Sequence, residues 1–145
     1  IGAFLGTGTT KAKPATTKPD RDFSRTGIDF QADLGGSRIQ AAYIMAEDDN
    51  DINGTVTNKD KNNAYSLQYY YTMKTATGSP TLVPIVRLDS YEQNNGNDKY
   101  DELTLNLTYY FTENFKGFVE YWDQLSVPGT QVADNRTTVQ FTVGF

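Results

Sequence analysis

The chain has 145 residues, enough for one domain, with 13 basic and 18 acidic residues and a formal net charge of −5. It has no cysteine and no histidine, which excludes disulfides, thiolate metal sites and the commonest general base. The acidic balance argues against nucleic acid as a partner, since that would need a basic face.

No run approaches the ~20 apolar residues of a spanning helix. The pattern instead has a period of two, the mark of a strand with one dry face. Eight strands are predicted, at about 1–8, 25–35, 38–47, 64–74, 81–93, 102–112, 116–126 and 137–145. The first, IGAFLGTG, is short and glycine-rich. In the second, Thr26, Ile28, Phe30, Ala32 and Leu34 interleave with Arg25, Gly27, Asp29, Gln31 and Asp33. Ile39, Ala41, Tyr43 and Met45 continue the alternation in the third, where Ile44 breaks it. Tyr65, Leu67, Tyr69, Tyr71 and Met73 carry the fourth. In the fifth, Leu82, Pro84, Val86 and Leu88 oppose Arg87, Asp89 and Tyr91, with Val83 and Ile85 as exceptions. Leu103, Leu105, Leu107, Tyr109 and Phe111 carry the sixth. Neither face of the seventh is clean, because Val119 and Tyr121 share one with Asp123 while Phe118 and Trp122 share the other with Glu120. The eighth alternates from Val139 to the terminal Phe145.

Short and long connections alternate strictly. Gly36–Ser37, 75–80 and 113–115 are short; 9–24, 48–63, 94–101 and 127–136 are long and polar. An up-and-down transmembrane barrel has this asymmetry, with tight turns on one side and long external loops on the other. Tyr69–Tyr71 and Tyr109–Phe111 fall at the short-turn end, where a barrel carries its aromatic girdle.

The ending Val139, Phe141, Val143, Phe145 resembles the terminal strand of Gram-negative outer-membrane barrels. LTLNLTYYFTENFKGFVEYWDQ (103–124) and TGIDFQADLGGSRIQAAYIMAED (26–48) resemble hairpins of the phosphate-selective and general porins. The resemblance implies an all-β antiparallel transmembrane barrel across 1–145, in which the visible strands form the C-terminal part of a larger barrel of about 16 strands. It further implies an outer-membrane location, contact with lipid, recognition of the last strand by the barrel-assembly machinery, and a homotrimer. The function it implies is passive diffusion of small hydrophilic solutes or ions. The alternative is a small closed eight-stranded barrel acting as an anchor, adhesin or scaffold through its loops; a soluble lipid-binding barrel, with the apolar face inward, is a third reading.

If the wet face lines a pore, Arg25, Asp29, Asp33, Arg38, Lys74, Arg87, Asp89 and Glu120 are the side chains that set its field. No ladder of lysine and arginine marks phosphate selectivity. Loop 49–60 fits D-x-[DN]-x-[DN]-G, with Asp49, Asp51 and Asn53 as oxygen donors, Thr55 as a carbonyl donor and Asp60 in the twelfth place. Calcium is the one cofactor this suggests, although Asp replaces the usual Glu and the flanks are strands; a channel needs none. A histidine-dependent hydrolase site is not available, and no enzyme activity is expected.

Overall fold

The computed structural model describes residues 1–10, 20–52 and 55–144, and the side chains among these except for 50–58. Nine strands form one antiparallel sheet: β1 (Gly2–Thr10), β2 (Arg21–Leu34), β3 (Ser37–Ile52), β4 (Thr55–Tyr71), β5 (Met73–Lys74), β6 (Pro80–Gln93), β7 (Asp98–Thr112), β8 (Phe115–Ser126) and β9 (Asn135–Val143). The order is β1-β2-β3-β4-β6-β7-β8-β9, so each long strand pairs with its neighbour in the chain, and β5 also pairs with β6. A single 3₁₀ turn, Asn94–Gly96, precedes β7.

The eight expected strands are all present, and the fourth, expected over 64–74, is split, its end forming β5. Pro84 explains it. β4 pairs with β6 as far as Tyr70 opposite Ile85; the next position on β6 is a proline, which has no N–H to give to a ladder. The chain breaks at Thr72, whose N–H bonds instead to the Gly36 carbonyl at 2.7 Å, and resumes with Met73 opposite Leu82. The β2–β3 turn needs Gly35 at φ +63°, a left-handed conformation that a side chain would strain.

The long loops are shorter than expected. Most of 48–63 is strand, with Asp48 opposite Asp60 and Asp49 opposite Lys59, and 94–101 shrinks to a tight turn because β7 starts at Asp98. Polar residues continue the ladder there because backbone pairing with a fixed neighbour needs no apolar face.

The sheet is a single layer. No hydrophobic residue among those described is buried, and the chain exposes 9977 Å², against roughly 7,400 Å² for a monomeric globular protein of its mass. Exposure alternates in three strands: in β4, β7 and β8, Leu67, Tyr69, Leu105, Leu107, Tyr109, Val119 and Tyr121 are exposed, while the intervening Ser66, Gln68, Tyr70, Asn106, Thr108 and Glu120 are half-buried; in β2, Asp29, Gln31 and Asp33 are exposed along with Ile28 and Phe30. Side chains converge on the inside of a bend and splay on the outside, so through these three strands the sheet curves with its polar face concave.

The ladder is also staggered. The row Ala32, Ile39, Tyr69, Val86, Leu105, Tyr121, Thr137 runs straight across it. Ala32 stands two residues before the end of β2 at Leu34, but Leu105 stands seven before the end of β7 at Thr112. Such drift is the tilt that a closing sheet requires. This sheet is not closed: β1 pairs with β2 alone and β9 with β8 alone.

Candidate functional site

In an antiparallel ladder, directly opposite residues share a face, so the register sorts every described side chain. One face carries Ile28, Phe30 and Leu34 on β2, Ile39, Tyr43 and Met45 on β3, and Tyr65, Leu67 and Tyr69 on β4. It continues through Val86 and Leu88, Leu103, Leu105 and Leu107, Val119 and Tyr121, and ends on Val139 and Phe141. The opposite face holds Arg25, Asp29, Asp33, Arg38, Arg87, Asp89 and Glu120. Seven of the eight charges expected on a wet face thus lie together. Lys74 is the exception: it sits at a register shift in β5, opposite Pro80, beside the turn and away from the wall.

Hydrogen bonds organise this polar face. Gln68 donates to Gln40 at 3.1 Å and Gln40 to Gln31 at 3.0 Å. Gln31 then donates to Asp33 at 3.1 Å, and Arg38 forms an ion pair with the same carboxylate. Three strands are crossed by amides whose donors all aim toward one anion. Arg25 contacts both carboxylate oxygens of Asp48, at 2.7 and 3.0 Å. Arg87 meets Asp89 at 2.6 Å, and Asn106 donates to Glu120 at 3.3 Å.

The register adds wall residues that residue-by-residue reading passed over. Asp48 and Glu102 join the acidic set, and Lys116 and Arg136 the basic one. Trp122 donates from Nε1 to Glu102 at 3.1 Å and lies beneath the Arg136 guanidinium, 5.6 Å from the ring centre. Tyr70 and Tyr110, the middle members of the two aromatic triplets, turn to this face, where Arg38 and Lys116 sit over their rings at 5.5 and 5.8 Å. Strand parity alone could have found all of these.

The outer members of those triplets stay on the apolar face. Tyr109, Phe111, Phe115 and Phe141 form one cluster there, with ring centres 4.7 to 6.4 Å apart. Val139, Phe141 and Val143 of the expected assembly signal line up on this face; Phe145 lies outside the described residues.

The described residues of the expected calcium loop lie on the paired strands β3 and β4. Asp49 faces Lys59 and Asp60 faces Asp48, so Asp49 and Asp60 point to opposite sides of the ladder, and an Asp49 oxygen accepts from the Asp22 N–H at 2.9 Å. The structure does not bring these two carboxylates together. Asn53 lies outside the described residues, and Asp51 and Thr55 are described in backbone alone. Among the described residues no group of three or more acidic side chains is placed to hold a metal.

No protein-family model matches the chain, and no curated protein or solved structure is similar enough to count as a match.

Proposed function

We propose that the chain forms part of the wall of an outer-membrane diffusion channel, with its apolar face against lipid and its concave polar face against water. One observation carries the reading: in β4, β7 and β8 of a sheet without a core, the greasy residues are the more exposed and the polar residues between them the more shielded. A soluble lipid-binding barrel needs the opposite curvature, with apolar residues in the hollow. In water the observed arrangement would leave a continuous apolar surface far beyond what monomers tolerate.

Dimensions support the same reading. The apolar row on β7 runs from Leu103 to Phe111, about 27 Å of strand, or roughly 21 Å at a tilt near 40°, close to the ~25 Å apolar band of outer-membrane barrels. At the long-loop end the same face turns charged, with Glu47, Lys59 and Lys61 in a loose ion-pair cluster at 3.7 to 3.8 Å, as a surface leaving the bilayer would. The bare edges of β1 and β9 would pair with further strands of a larger barrel, since open edges do not persist in hydrocarbon. Solutes would pass along a wall of mixed charge, which suits small hydrophilic solutes without strong selection by sign.

The absence of cysteine makes single-cysteine variants clean probes. In the protein reconstituted into vesicles, Thr104→Cys and Asn106→Cys should react with a membrane-impermeant maleimide, and Leu105→Cys and Leu107→Cys should not. The reverse pattern would end the channel reading. In planar bilayers, stable current steps are expected; silence from protein that is inserted and folded would favour a closed anchor instead.

A further inference from the structure

On the polar face a basin interrupts the wall. Its floor is Ala42, Ile44 and Ala64, short or apolar side chains on β3 and β4, and its volume is about 470 Å³. That falls within the ~300–1,000 Å³ range of small-molecule sites. Tyr91 and Tyr100, opposite one another on β6 and β7, stack along one side with ring centres 6.4 Å apart. Arg87, Asp89 and Glu102 line the basin as well, Asp89 and Glu102 being the next same-face pair along the two strands.

Two features of the basin specify a ligand. The first is its floor of small and apolar side chains with an aromatic flank, set among the charges of the polar face. Apolar surface held against water is relieved when a solute with an apolar face covers it. The second is charge. Arg87 is neutralised by Asp89 at 2.6 Å. Glu102 accepts a hydrogen bond from the neutral indole of Trp122, and among the described residues no cation within 4.0 Å pairs with it. One net negative charge therefore stands beside two tyrosine π-faces. An aromatic wall next to a carboxylate attracts a weakly hydrated cation through the ring quadrupole and the charge together. An anion would be repelled, and a neutral sugar would leave the charge unanswered.

We propose that this basin binds a small organic cation with an apolar surface, of the quaternary-ammonium kind, as it travels along the wall. The proposal rests on the reading that this face is wet. Ile44, which breaks the alternation in the sequence, becomes part of the binding floor.

Choline and its uncharged carbon isostere dimethylbutanol test it. The full chain is folded in a non-ionic detergent, with circular dichroism confirming strand content. Emission is then followed from Trp122, the only tryptophan, which touches Glu102. Choline should give a saturable change at millimolar concentrations, and dimethylbutanol should bind about tenfold more weakly. Glu102→Gln keeps an acceptor for the indole but removes the charge; it and Tyr91→Ala should each weaken choline by at least about fivefold. No saturable response, equal binding of the isostere, or unchanged binding in Glu102→Gln overturns the proposal. If choline fails while Thr104→Cys remains open to water-soluble maleimide, the wall stands and only the site is lost. If Thr104→Cys is shielded and Leu105→Cys reacts, the wall reading itself has failed.

Discussion

Leu105 and Asn106 are neighbours in the chain and meet opposite surroundings. Leu105 stands on the apolar face between Val86 and Tyr121; Asn106 faces Ile85 and Glu120 and donates to that carboxylate. If the apolar face meets lipid, Leu105→Arg should cost about 2–4 kcal/mol, the penalty for a cation near the middle of a lipid-facing strand. Asn106→Arg, in water and next to Glu120, should change stability by less than about 0.5 kcal/mol. Unfolding by denaturant in vesicles, read from Trp122, distinguishes them; equal costs would mean that the two faces share one environment. The apparent violations of the pattern are also settled at this scale. Ile44, Val83 and Ile85 lie on the polar face with Arg87 and Asp89, so they are apolar residues on that face and the strand period is intact. Phe118, Glu120 and Trp122 share that side while Val119 and Tyr121 take the other, as parity had indicated for the strand with no clean face.

At the level of elements, Gly8 of β1 and Gly27 of β2 are explained by rings across the ladder. A side chain begun at Gly27 would run into the Phe4 ring, and one begun at Gly8 would meet Phe23 at 2.6 Å. Each ring fills the space that a glycine on the partner strand leaves. Gly27→Val should expel Phe4 and cost about 1–3 kcal/mol, the usual range for overpacking. Hydrogen exchange should show lost protection confined to β1; loss spread over the whole sheet would refute a local role. At the other edge, Phe141 lies over Gly117 and beside Phe111 and Phe115. Phe141→Ala removes both aromatic contacts, each worth about 0.5–1.5 kcal/mol. It should raise exchange in β9, and under the proposed function it should lower the amount of assembled barrel in the membrane fraction. The strands themselves were legible because their apolar residues alternate. Their ends were not. Glu47 to Ile52 and Thr55 to Asn63 carry no apolar alternation, yet they pair with one register shift between Asn50 and Asp51, held by backbone bonds to a strand already in register. The same pairing separates Asp49 from Asp60, which a sequence pattern for a coiled loop had placed around one cation.

For the whole molecule, the decisive quantity is the apolar area left uncovered. The chain has no buried hydrophobic core among its described residues, so the hydrophobic effect cannot hold it together in water by inward burial. Diluted from denaturant into buffer, the protein should associate; diluted into lipid vesicles, it should gain strand content and protease resistance. A folded monomer without detergent or lipid would contradict the proposed arrangement. The sequence by itself determined the strand type, the neighbour-to-neighbour order and the identity of the two faces, because a period of two assigns side chains to sides wherever backbone pairing is local in the chain. Only the tertiary structure decided which face lies in the hollow, where the ladder stops, that the sheet stays open, and that Tyr91 and Tyr100 stand together beside Glu102. Those depend on register and curvature, which are set jointly by all the strands and are written in no single segment.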